Sequence, residues 1–145
     1  MADIRNLWLE MKSVLRSARL MINAELEPLF LTGAEGDILF HLMTGSNAFS
    51  QEQLAQQLDI GKAAISRVVD SLEAKGYIQR LHNPEDKRAY IVCLTDKAVS
   101  IGRQVVGVYD RLYKRVKNGI AEEELALIES LLRRVTANLE TMEEP

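Results

Sequence analysis

The chain has 145 residues, 47% of them hydrophobic and 27% charged, with eight Gly and three Pro. At this size one globular domain buries roughly 68 to 70% of its unfolded surface, and the composition excludes collagen-like, disordered and disulfide-scaffold chains. Its apolar runs are short or interrupted at helical spacing, so no window nears the roughly 18 apolar residues of a membrane span, and no membrane partner is expected. Eighteen Lys and Arg against 21 Asp and Glu give a net charge of −3, so any affinity for nucleic acid must be local.

Asp3, Arg5, Glu10 and Lys12 break up the first apolar residues, which leaves no signal-peptide core. The single cysteine, Cys93, has no partner within the chain. Both features lead to the expectation of a reducing cytoplasm.

Leu7, Met11, Leu15, Ala18, Ile22, Leu26 and Leu29 recur at steps of three or four and predict one long helix. Pro28 lies near its end. Thr32 and Glu35 form a T-x-x-E capping box that opens a second helix through Ile38, Leu39, Leu42 and Met43, closed by Gly45, Ser46 and Asn47. Ser50 and Gln53 repeat the box before a helix of about two turns, with Leu54, Ala55 and Leu58 inward.

After a turn at Asp59, Ile60 and Gly61, a helix from about Lys62 to Lys75 is expected. It gathers Ile65, Val68, Val69 and Leu72 within about 100° of arc, and leaves Ala63, Ser66, Arg67, Asp70 and Ala74 on the far side. Gly76 suits the left-handed residue that stops it. Tyr77–Leu81 and Arg88–Leu94 are rich in β-branched and aromatic residues and predict a β-hairpin with a polar tip from His82 to Lys87. Thr95 and Asp96 start a helix reaching about Asn118, ended by Gly119. A last helix from about Ala121 carries a seam of Leu125, Ile128, Leu132, Val135, Leu139 and Met142 suited to packing on another helix.

Three short helices followed by a charged hairpin have the layout of a winged helix-turn-helix, whose second motif helix enters a DNA major groove. On the exposed side of that helix Lys62 suits a phosphate, and Ser66 and Arg67 suit base edges. Between Lys62 and Arg88 the cations Lys62, Arg67, Lys75, Arg80, Lys87 and Arg88 outnumber Asp70, Glu73, Glu85 and Asp86 by two. This thin positive stripe predicts strongly salt-dependent binding. Asp70 has three candidate partners: Arg67, a wing arginine or water.

Ile65-Ser66-Arg67-Val68-Val69-Asp70-Ser71-Leu72-Glu73-Ala74-Lys75-Gly76-Tyr77-Ile78-Gln79-Arg80, followed by Asp86-Lys87-Arg88 and then Leu94-Thr95, resembles the MarR family of bacterial transcriptional regulators, and the resemblance spans essentially the whole chain. It implies a mainly α fold with a small β-hairpin wing. Residues 32–95 would form the winged helix-turn-helix, and 1–31 and 96–145 the long dimerisation helices. It further implies a homodimer on a palindromic double-stranded DNA operator, with Arg88 in the minor groove and Asp86 steadying the wing. The residues expected at DNA are Lys62, Ala63, Ser66, Arg67, Asp70, Asn83, Asp86, Lys87 and Arg88.

Trp8, Met11, Met21, Phe30, Phe40 and Met43 either pack in the core or line a cavity for a small aromatic or lipophilic anionic effector. Cys93 reads as a small buried hydrophobe. His41 and His82 with one cysteine do not make a structural zinc site. No catalytic constellation, phosphate loop or cofactor motif is evident, so neither an enzyme nor a cofactor is expected. The competing reading is a winged-helix dimer that binds protein partners and not DNA.

Overall fold

The computed structural model describes residues 3–46 and 48–141, apart from the side chains of Lys87 and Arg88. The closing Asn47 and the seam's Met142 therefore lie outside the described residues. The chain divides into two units, Met1–Leu112 and Tyr113–Pro145.

Helix α1 (Ile4–Leu26) opens where the Asp3 carboxylate accepts from the Arg5 amide at 2.9 Å, satisfying one of the donors a helix start leaves unpaired. Pro28 sits in a 3₁₀ turn (Glu27–Leu29), and Phe30 follows with φ 60°. The capping box expected at Thr32 forms: Thr32 Oγ1 accepts from the Glu35 amide at 3.2 Å, Glu35 Oε1 accepts from the Thr32 amide at 2.8 Å, and α2 runs Gly33–Thr44. Ser50 and Gln53 pair in the same way to start α3 (Gln51–Gln57).

Helix α4 (Lys62–Ala74) ends in a left-handed stop. Gly76 has φ 83°, its amide donates to the Glu73 carbonyl, and the Tyr77 amide donates to the Leu72 carbonyl, both at 3.0 Å. Those two bonds form a Schellman cap.

Strands β1 (Ala48–Ser50), β2 (Ile78–Asn83) and β3 (Asp86–Leu94) form an antiparallel sheet in the order β1-β3-β2. The expected two-stranded hairpin thus gains a third strand, with Ser50 opposite Ile91, because β1 is too short to show alternation. The polar tip is also shorter than expected. Both strands extend into it, Asn83 faces Asp86, and only Pro84 and Glu85 form the turn, beyond an irregularity at His82/Asn83.

Helix α5 (Asp96–Val116) is tied to the end of α4: Thr95 Oγ1 donates to the Gly76 carbonyl at 2.6 Å, and the Thr95 amide donates to that of Tyr77 at 3.0 Å. In the first unit Leu26, Ile38, Leu39, Leu42, Leu54, Ile65, Val69, Leu72, Ile78, Val92 and Val105 are almost fully buried, and together they form one core. Within α1 only Ile22 and Leu26 are buried, whereas Leu7 and Leu15 of the predicted stripe are 48% and 72% exposed.

The second unit holds α6 (Glu122–Glu140), with Ile128, Leu132 and Leu139 exposed. Among the described residues no helix is long and apolar enough to cross a membrane. Cys93, expected to be buried, is only half-buried. It lies on β3 opposite Ala48 and Gln79 in the middle of the sheet.

Candidate nucleic-acid interface

Helix α4 turns Ile65, Val69 and Leu72 into the core and leaves Lys62, Ala63 and Arg67 exposed, with Ser66 half-buried beside them. The helical arc predicted this division. The side facing water therefore carries two cations and a hydroxyl near the helix start, where the backbone amides and the helix dipole add positive potential for a phosphate.

The wing is held at the side of α4 by Arg80 of β2. Its Nε donates to Gln51 Oε1 of α3 at 3.2 Å, one terminal nitrogen donates to the Ser66 carbonyl at 3.1 Å, and the other forms an ion pair with Asp70. Glu73 lies 3.6 Å from the guanidinium and accepts from the Arg80 amide at 3.1 Å. The Tyr90 ring centroid stands 5.9 Å away. A guanidinium presents several donors in a fixed plane, so one side chain ties α3, α4 and both long strands together.

Asp70, among the residues expected at DNA, is therefore engaged with Arg80 at the root of the wing. Asn83 is half-buried, and its Oδ1 accepts from the Glu85 amide at 3.0 Å, which shapes the turn. Asp86 is exposed. Lys87 and Arg88 lie on β3 with side chains outside the described residues. Between α3, the start of α4 and the wing lies a concavity of about 630 Å³ whose lining includes Gln51, Gln56, Lys62, Asp86 and Tyr90.

Of the three partners offered for Asp70 the structure selects a wing arginine, Arg80; the sequence did not specify which one, and it gave no role to Gln51. A usable signal existed for the arginine: Asp70 and Glu73 share one side of α4, and the chain returns past them after Gly76.

The six residues weighed for an effector cavity do not share one environment. Phe40 stacks on Tyr109 at 4.2 Å, and Met21 and Met43 pack against the core. Trp8 and Phe30 are 47% and 85% exposed. His41 is hydrogen-bonded to Gln57, and no cluster of metal-ligating side chains occurs among the described residues.

Glu35 is the one buried charged side chain among the described residues. Its carboxylate accepts from Lys75 Nζ and the Ser71 hydroxyl of α4, both at 2.8 Å, besides capping α2. Burial pushes its pKa up. The Lys75 hydrogen bond and charge, with the bonds from the Thr32 amide and Ser71, outweigh that and hold it below the ordinary glutamate value.

A sequence model described as "MarR family" matches residues 31–89, the stretch from the start of α2 to the wing. The multiple antibiotic resistance protein MarR of Escherichia coli (strain K12) is 29% identical over 116 residues, covering 79% of this chain and 80% of that one. A crystal structure of a mutant MarR from E. coli complexed with operator DNA superposes with a TM-score of 0.78 at 28% identity, over 91% of this chain and 94% of that one. AbsC, a MarR family transcriptional regulator from Streptomyces coelicolor, shares the fold with a TM-score of 0.83 at 20% identity, covering 97% of each chain.

Proposed function

We propose that this chain, whose residues 31–89 match the MarR family, is a transcriptional regulator of that family, acting as a homodimer that binds a palindromic operator sequence-specifically, as a repressor released by a small aromatic or lipophilic anion. In this reading residues 32–95 read DNA, while 1–31 and 96–145 hold the two copies together. Lys62 and the backbone at the start of α4 take phosphates, and Ser66 and Arg67 take base edges. Ala63 lets the helix approach closely, Asp70 acts through Arg80, and Asn83, Asp86, Lys87 and Arg88 form the wing's DNA-facing tip.

The observation that carries the reading is the exposed Lys62 and Arg67 side of α4 with a wing fastened beside it by Arg80. Support also comes from the relative of 28% identity that was solved with operator DNA. The dimer is supported by the apolar side chains that α1 and α6 leave uncovered, since rows of this kind belong against another helix.

Selection of bound duplexes from a random-sequence library followed by fluorescence anisotropy tests the reading. Saturable binding that weakens steeply with salt is expected. Arg67→Ala is expected to cost about 1–3 kcal/mol and to relax the sequence preference, and Arg88→Ala to weaken binding as well. Binding unchanged in both variants, or no saturable binding at low salt, would overturn it in favour of a protein-binding winged-helix dimer.

A further inference from the structure

The polar contacts of the core's edge converge on one place, the junction between α1 and α2, and from there they reach the far end of the reading helix. Glu35 is 2% exposed, and both of its oxygens are used. Oε1 accepts from the Thr32 amide and from Lys75 Nζ, and Oε2 accepts from the Ser71 hydroxyl. Lys75 Nζ also donates to the carbonyl of Phe30 at 2.8 Å. The junction is fastened on its other side too: Asn23 of α1 accepts from the Gly33 amide at 2.9 Å, and Asp37 of α2 takes Arg19 of α1 at 2.7 Å and the Tyr109 hydroxyl of α5 at 2.5 Å.

Resting on the functional reading above, we propose that the Glu35–Lys75 pair, with Ser71 and the Phe30 carbonyl, is a positioning clasp that fixes the angle and register of the reading helix α4 on the frame of α1, α2 and α5, and so sets sequence discrimination without touching DNA.

The physical case begins with what the apolar core does not fix. Ile38, Leu39 and Leu42 of α2, and Ile65, Val69 and Leu72 of α4, are buried in the same core. Apolar burial is non-directional, so it holds two helices together more firmly than it holds one rotation of them. A charge-assisted hydrogen bond is short and directional. Burying a carboxylate for it contributes little net stability, because the lost hydration offsets most of the attraction, and a fixed register is the best-attested return for such a pair. The pair is placed for that task, since Ser71 lies in the last turn of α4 and Lys75 is its C-cap. Phe30 accepts a left-handed backbone, φ 60°, where a residue with a Cβ is strained, and its carbonyl is one of the clasp's two anchors for Lys75.

Base-edge contacts require side chains to be placed more closely than phosphate contacts do, so a loosened clasp should weaken specific binding more than non-specific binding. The test uses full-length wild type, Glu35→Gln, Lys75→Met and the double variant, each measured by anisotropy on a duplex selected from a random library and on a scrambled duplex, across salt concentrations. Glu35→Gln keeps an acceptor for the Thr32 amide but loses the charge. If it does not fold, Lys75→Met carries the same test, because that side chain is 35% exposed.

The expected result is a roughly tenfold fall in the ratio of specific to non-specific affinity in each single variant. The double variant should fall no further, because the two side chains act as one unit, and the salt slope should stay unchanged. A preserved ratio, with both affinities falling together, overturns the clasp as a determinant of discrimination. So does a fall confined to Lys75→Met with the salt slope reduced by about one, the mark of a phosphate contact. Absence of saturable binding by the wild type overturns the functional reading and this inference with it. Wild-type binding with any of the other adverse results overturns the inference alone.

Discussion

At Glu35 the balance of burial against its partners has a consequence for pH. A carboxyl whose folded pKa lies below its ordinary value contributes stability that is complete above that value and is lost as pH falls through the folded one. Wild type and Glu35→Gln are therefore expected to differ in urea midpoint at neutral pH, the wild type being the more stable. The gap should narrow on acidification below the ordinary glutamate value, and a gap that widens instead would contradict the assigned direction. The sequence made part of this scale legible. Glu35 was readable as a capping residue, since its partner Thr32 is three positions away, and Lys62 and Arg67 were readable from the helical arc. Lys75 as a partner of Glu35 was not readable, and of the Arg80 hub only a wing arginine as one of three candidate partners for Asp70 was. Those bonds join residues 10 to 40 positions apart in sequence, and only the packing of α2, α3 and α4 brings them together.

Elements whose signals are local matched their sequence. Both capping boxes formed, and Gly76 stopped α4 with the left-handed geometry that a residue lacking a Cβ adopts at least cost. Because φ there is 83° and an added Cβ would meet nothing closer than Lys97 Cδ at 3.5 Å, Gly76→Ala isolates the backbone cost from any steric clash. A loss of about 1–2 kcal/mol is expected by chemical denaturation, and a neutral substitution would show that the stop does not depend on glycine. Strand β1 was missed because Ala48, Phe49 and Ser50 carry no readable alternation, and their partners Ile91, Val92 and Cys93 lie far along the chain. Beyond Ile91 the wing loses its third strand, and Tyr90 and Asp86 pair with β2 alone, opposite His82 and Asn83.

For the molecule as a whole, the apolar rows of α1 and α6 were legible as helical periodicity, but what covers them was not, because periodicity is the same for a row packed within a chain and one packed between chains. Leu7, Leu15, Ile128, Leu132 and Leu139 remain 44 to 72% exposed in the single chain. Light scattering is expected to give twice the chain mass at micromolar concentration, and Leu132→Glu to shift it toward one chain mass, since a charge in a covered apolar seam is left without a partner. A wild-type monomer at that concentration would reject the dimer. An α-helix of 19 residues with no fully buried residue has little to hold it in water, because isolated helices are marginal and draw most of their stability from packing. In the proposed dimer its ordering is a second-order event, and thermal resistance should climb as the solution is made more concentrated. In a cell the occupied fraction of a binding site would accordingly respond to dosage more steeply than in proportion, so that halving the number of chains per cell removes more than half of the assembled species.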